Sequence, residues 1–412
     1  MFSRRRLSIL ICFKCAGLTQ ARAGDATFGA EFTFTNFDLV FPQKRSSLGH
    51  ASSVVTEENM SAIEAMARLM MKACANQPEG ERCRVRALKD ARGAKIYRVE
   101  YADDWWWQIS PDPSVVEIQT KPSTARELRA MKERIRRDIF ATAAKTGLTT
   151  KSSGETPKPG LVPFRKVGGG HIHIGNESAF GNDAKLFRNF LVDYSNHAGL
   201  ALGALGDDAT NAASLGHLTP QSRAGFEDAI RAFDEGRIST IGELATAVES
   251  AAYSQDCRGQ KVNPKYNALC VQRATDPKMP EAERTTEVRA LRAQRTADEF
   301  LREVELFDAR IKHLKTIDYP IAYNNRAANS FSDPELVSQF HSYIAGAGLN
   351  PDEYKSLLPK DLKQVYDNGK FSKQLLSAEA APARSSASLN CPKTIRSLLA
   401  PHTAVRQPPP QF

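Results

Sequence analysis

Gly168-Gly-Gly-His171-Ile-His173-Ile174 sets two histidines on alternate positions, with isoleucine after each. Strand side chains alternate faces with period two, so His171 and His173 share one face while Ile172 and Ile174 share the other. An ordinary half-buried strand carries interchangeable Thr, Ser, Lys or Gln on its wet side, and this one carries imidazoles instead. Three other stretches obey the same rule. In Phe28-Gly-Ala-Glu31-Phe-Thr33-Phe34, Glu31 and Thr33 oppose Phe28, Ala30, Phe32 and Phe34. In Val115-Val-Glu117-Ile-Gln119-Thr120, Glu117 and Gln119 oppose Val116 and Ile118, and in Thr285-Thr-Glu287-Val-Arg289, Glu287 and Arg289 oppose Val288. If the four strands are neighbours, carboxylates, imidazoles and one arginine line a single surface.

Helical patterns lie between and after these strands, so the predicted class is α+β. Thr56 caps a helix over Glu57–Ala75 with Ile63, Met66, Ala67, Met70 and Met71 as its apolar stripe. Tyr97–Tyr101 and Trp105–Ile109 read as two strands around an Asp103-Asp104 turn, and alternating burial accounts for the tryptophan run. Thr124-Ala-Arg-Glu127 is a capping box opening a helix to about Lys145. Residues 149–160 form a polar loop long enough to act as a lid. Further helices are expected from Asp183, across Thr219–Ser254, over Asp298–Lys315, from Asp333 and from Pro351.

The chain has 412 residues, 41% of them hydrophobic and 25% charged, the balance of a globular protein. Its first 23 residues read as an export signal: Arg4-Arg5-Arg6, an apolar stretch from Leu7 to Leu18 broken by Lys14, and Ala21-Arg22-Ala23 as the cleavage site. The alternative is a basic N-terminal extension. Without that segment 51 basic residues face 47 acids, and the charge falls from +9 to +4, too little to argue for nucleic acid as a partner. No run approaches the ~20 apolar residues of a membrane span. Cys74 and Cys83, and Cys257 and Cys270, bracket loop-like segments as short disulfides of an oxidising compartment would; unrelated thiols are the alternative. The organisation expected is a leader over 1–23, one domain over 24–376, and a disordered Ala-, Ser- and Pro-rich tail over 377–412.

The order of the four motifs resembles the glutamine-synthetase-like carboxylate–amine ligases, closest to their amidoligase group. That superfamily has a G-x-E-x-E strand, an acid in an E-x-x-T/S-x-P setting, a Gly-rich H-x-H strand, and a late E-x-R strand entering a long helix. Here the corresponding residues are Gly29-Ala-Glu31-Phe-Thr33, Glu117-Ile-Gln-Thr120-Lys-Pro122, Gly169-Gly170-His171-Ile-His173 and Glu287-Val-Arg289. The resemblance implies a curved, mostly antiparallel sheet whose concave face holds the site and whose other face is backed by helices. It implies Glu31, Glu117, His171 and Glu287 as ligands of Mg²⁺ or Mn²⁺, and ATP as cosubstrate. Arg289 would hold phosphate oxygens, His173 would orient substrate or phosphate, and Gly169 and Gly170 would let backbone approach the nucleotide.

The implied reaction joins a carboxylate to an amine on a small molecule or peptide, through an acyl phosphate. Thr33 replaces the second acid of the first motif and cannot supply a charged ligand, so a single divalent ion is the expectation. Glu127 is accounted for by its capping box. Export conflicts with ATP use, because exported compartments lack an ATP supply. Three resolutions therefore stand: action after delivery into another cell's cytoplasm, an exported ATP-independent hydrolase or transamidase, or a non-catalytic ligand-binding protein on the same scaffold.

Overall fold

Period-two alternation builds one antiparallel sheet in which the chemistry-bearing strands stand side by side. The structure is a computed structural model that describes residues 25–40, 55–78, 82–90, 93–150, 169–197, 219–252, 267–276, 278–327, 330–358 and 360–368. The expected leader and its cleavage site, most of the loop over 149–160, Gly168, Cys257, Cys391 and the tail over 377–412 lie outside the described residues. Among those described, nine strands form a single sheet: β1 (Thr27–Phe34), β2 (Cys83–Lys89), β3 (Lys95–Tyr101), β4 (Trp106–Asp112), β5 (Val115–Thr120), β6 (Ser123–Thr124), β7 (Gly169–Gly175), β8 (Leu269–Cys270) and β9 (Thr285–Arg292). Their order is β2-β3-β4-β5-β1-β7-β9-β8, with β6 also on β1. All these pairings are antiparallel.

The apolar face of the sheet is the floor of the core. Phe28, Phe32, Ile118, Ile172, Ile174 and Val288 are each wholly buried. Phe32 meets Phe140 and Phe300 edge to face, with ring centroids 5.2 and 4.9 Å apart. Those partners belong to the Ile135–Phe140 segment and the Ala297–Leu314 helix, so helices cover this face. The Glu57–Ala75 helix packs Ile63, Met66 and Met70 into the same core, and its capping box joins Thr56 to Asn59.

Most predicted elements are present. The capping box at Thr124 and Glu127 opens a run of helical turns to Lys145, interrupted by a π segment over Ile135–Phe140. Asp183 accepts the Leu186 N–H and caps the Ala184–Asn196 helix. Asp104, in the expected turn, takes a positive φ of 61°, a conformation that aspartate tolerates better than most residues. Trp105 and Trp107 are buried while Trp106 is half-buried, which is the expected alternation. Thr149, at the start of the expected lid, is anchored by a bridge to Thr35.

One element lies outside the expectations: the segment after Cys83 is a strand, β2, with Val85 and Leu88 half-buried while Arg84 and Arg86 face solvent along the sheet edge. The expected Cys74–Cys83 disulfide is present and ties this strand to the end of the Glu57–Ala75 helix. Cys270 on β8 carries a free, buried thiol, and its expected partner Cys257 lies outside the described residues.

Candidate metal centre

Register brings the site together. On β1, Glu31 lies directly opposite His171 of β7 on one side and Gln119 of β5 on the other. His173 faces Gly29 on one side and Glu287 of β9 on the other, and Thr33 faces Glu117. Directly paired residues share a face, so Glu31, Glu117, His171, His173, Glu287 and Arg289 converge on the surface away from the phenylalanine core.

Glu31, His171 and Glu287 each offer one ligand atom, and these atoms all lie within 4.8 Å of one another. His171 Nδ1 is 2.7 Å from Glu31 Oε2 and 3.3 Å from Glu287 Oε1. Adjacent ligands of an octahedral ion at ~2.1 Å stand about 3 Å apart, so these spacings are those of one coordination polyhedron. Two carboxylates and one imidazole suit a hard or borderline divalent ion. All three side chains are nearly buried, at 9% exposure or less as residues. The other nitrogen of His171, Nε2, is buried with no hydrogen-bond partner among the described residues.

His173 stands behind the cluster, with Nε2 3.5 Å from Glu31 Oε2 and Nδ1 3.2 Å from the Thr285 hydroxyl. Arg289 donates to Glu287 Oε1 at 2.5 Å. Burial alone would raise the Glu31 carboxyl, but hydrogen bonds from His171 and His173 outweigh it and hold the group well below its usual value. Glu117 goes the other way: burial first, then the charge of Glu31, push its carboxyl well above the ordinary range. The two carboxyls are in hydrogen-bond contact, which opposes ionisation of Glu117.

Each sequence-predicted site residue now has a place. Glu31, His171 and Glu287 make the cluster, and His173 and Arg289 flank it. Glu117 lies beside it, bonded to Glu31 and accepting from Gln119 Nε2 at 2.7 Å, and is not one of the three converging ligands. Gly169 is on the site face, where its carbonyl accepts the Thr33 hydroxyl at 2.8 Å. That bond explains Thr33 structurally. Gly170 lies against the Gln294 side chain, which a Cβ there would meet at 2.2 Å. Thr120 accepts the Ala30 N–H at 2.9 Å and fastens β5 to β1. The sequence reading missed Thr285, Gln108 and Arg98 on the same face, although period-two alternation along their strands was the signal that places them there.

No family model matches the chain, and no curated protein does. Among the described residues no helix is long and apolar enough to cross a membrane.

Proposed function

We propose that this protein is a metal-dependent, ATP-dependent carboxylate–amine ligase with a glutamine-synthetase-like sheet. The observation that carries the reading is the side-by-side order β5-β1-β7-β9, which gathers four separate motifs onto one face. Glu31, His171 and Glu287 would hold Mg²⁺ or Mn²⁺, which when bound supplies charge neutralisation for a phosphoryl group in transfer. A substrate carboxylate displaces ADP from the γ-phosphorus of ATP; an amine then attacks the acyl carbon of the resulting acyl phosphate, inorganic phosphate leaves, and the nitrogen loses a proton. Arg289 presents a planar fork suited to phosphate oxygens, and Glu287 fixes its orientation. His173, steadied by Thr285, is placed to orient substrate or phosphate. Glu117, whose ionisation burial and the Glu31 charge oppose, stands against Glu31 and keeps that carboxylate aligned. Gly169 offers backbone on the site face.

A second reading has its own support. The Cys74–Cys83 disulfide and the leader-like N-terminus favour export, where ATP is scarce, and an ATP-independent hydrolase or transamidase would use the same ion to polarise a carbonyl. Calorimetric titration of ATP with and without Mg²⁺ separates the two. Under the ligase reading ATP binds only with the divalent ion, and Arg289→Lys, which keeps charge and loses bidentate geometry, lowers nucleotide-dependent turnover by orders of magnitude. A protein that binds no ATP at any Mg²⁺ concentration is not a ligase.

A further inference from the structure

Three strands from the metal cluster, the same sheet face carries a cation with no acid to match it. Arg98 on β3 lays its guanidinium over the Trp106 ring, 4.3 Å from the centroid, and donates to Gln108 Oε1 at 3.2 Å. Its Nε is buried without a hydrogen-bond partner. The acid nearest along the strand, Glu100, is already committed to Arg84 at 2.7 Å and Arg86 at 3.4 Å. Among the described residues no carboxylate pairs with Arg98, whereas Arg188, Arg289, Arg292 and Arg310 each have one. A half-buried guanidinium held flat on an aromatic ring is oriented and partly desolvated before any ligand arrives.

This arginine is joined to the metal cluster by a row of side chains in direct register. Arg98 faces Gln108, Gln108 faces Gln119, Gln119 faces Glu31, and Glu31 faces His171. Hydrogen bonds run along the row in one direction. Arg98 donates to Gln108, Gln108 Nε2 donates to Gln119 Oε1 at 3.4 Å, and Gln119 Nε2 donates to Glu117 Oε1 at 2.7 Å. Because arginine only donates, both amides are locked in one orientation, and each keeps an N–H and a lone pair for a ligand. The row spans three strand spacings, about 14 Å, the length of roughly four residues of extended peptide. Beyond it, Trp106 and Glu100 border a cavity of about 490 Å³, within the ~300–1,000 Å³ usual for small-ligand sites.

We propose that this row is a substrate-binding track, and that Arg98 on Trp106 binds the far carboxylate of an extended, amide-containing acidic substrate. The reacting end of that substrate would lie at Glu31, His171 and Glu287, so the proposal rests on the reading of that cluster as the reaction centre. Carboxylate is favoured over a nucleotide base because the guanidinium already occupies the Trp106 face on which a base would stack, while Nη1 and the second hydrogen of Nη2, whose first goes to Gln108, remain to donate to two oxygens. Gln108 and Gln119 match the amide groups between the two ends.

The test uses the full chain with saturating Mn²⁺ and two probes, acetyl-Ala-Ala-Ala-Glu and the same peptide with both carboxyls converted to amides. Titration calorimetry is expected to show the acidic peptide binding wild type at least about tenfold more tightly than the neutral one, as a charge-assisted bidentate contact gives. Arg98→Gln should abolish that preference with Mn²⁺ affinity unchanged. Arg98→Lys keeps stem and charge, and should bind the acidic peptide several-fold less tightly than wild type; this arm decides the matter even if the glutamine variant does not fold. Equal binding of both peptides, no saturable binding of the acidic one to wild type, or unchanged affinity in Arg98→Lys overturns the proposal. So does a loss confined to ATP binding, which would make the anion a nucleotide phosphate. Failure of the metal reading looks different: Mn²⁺ itself would not bind wild type.

Discussion

Two clusters of buried charge in this protein are built to different ends. Behind the sheet, Arg310 donates to Asp193 through Nε at 2.7 Å and through a terminal nitrogen at 2.5 Å, gives another bond to the Tyr343 carbonyl at 3.1 Å, and lies over the Tyr343 ring. Burial opposes the Arg310 charge, but Asp193 outweighs it and holds its pKa above the usual value. On the sheet, Glu31, Glu117 and Glu287 meet two histidines and one arginine, burial and the Glu31 charge oppose ionisation of Glu117, and one nitrogen of His171 has no partner among the described residues. A closed ion pair stabilises the fold and offers nothing to a ligand. An open, acid-rich cluster holds its shape while leaving a place for a cation.

The largest effect expected of that contrast is on stability, at the closed pair. Arg310→Ala leaves Asp193 buried with only His197, 3.5 Å away, to answer it, and should cost about 3–5 kcal/mol in urea unfolding. A cost under about 1 kcal/mol would mean that solvent reaches the pair and the contrast fails.

At the open cluster the deciding effect should be on the ligand. Glu31→Gln is expected to lower Mn²⁺ affinity at least about a hundredfold, since it removes a ligand's charge, and to lower metal-free stability at neutral pH, since the histidine hydrogen bonds favour the ionised carboxylate. Calorimetric titration and unfolding of the same samples check both halves. Unchanged affinity would remove Glu31 as a ligand.

Glu117→Gln should have a smaller effect, about tenfold on Mn²⁺ affinity. The residue aligns Glu31 rather than completing the set of three, and glutamine keeps a donor toward it. A loss as large as that of Glu31→Gln would place Glu117 on the ion itself.

Glu303 is an intermediate case, buried at 1% exposure and partnered by the neutral Gln294 amide at 2.7 Å. Burial pushes its carboxyl well above the ordinary value. The contribution of a raised acid is fully present below its unfolded value of about 4.5 and is lost as pH rises through the folded value. The unfolding free energy of wild type should therefore fall relative to that of Glu303→Gln as pH rises above about 4.5. Parallel curves would show that Glu303 ionises freely.

Much of the candidate site was legible in the sequence because a strand's period is fixed by backbone geometry. Alternation alone puts Glu31, His171, His173, Glu287 and Arg289 on polar faces, and Thr56, Thr124 and Asp333 mark helix starts because capping is local chemistry. Which strands would be neighbours is a long-range matter. Residues 31 and 171 are 140 positions apart, yet pair directly.

Tertiary structure decided the rest, since each remaining question depends on what stands across the gap. Glu117 lies beside the three converging side chains, where burial and the neighbouring Glu31 push its carboxyl well above the ordinary range. Gly170 answers to Gln294, Thr33 to the Gly169 carbonyl, and Arg98 to Trp106, a partner set by strand pairing and invisible to any local pattern. The sequence determined which side chains share a face, because a covalent repeat sets that. Only the folded sheet determined which faces meet, because cross-strand contacts arise from burying the phenylalanine and isoleucine side against helices.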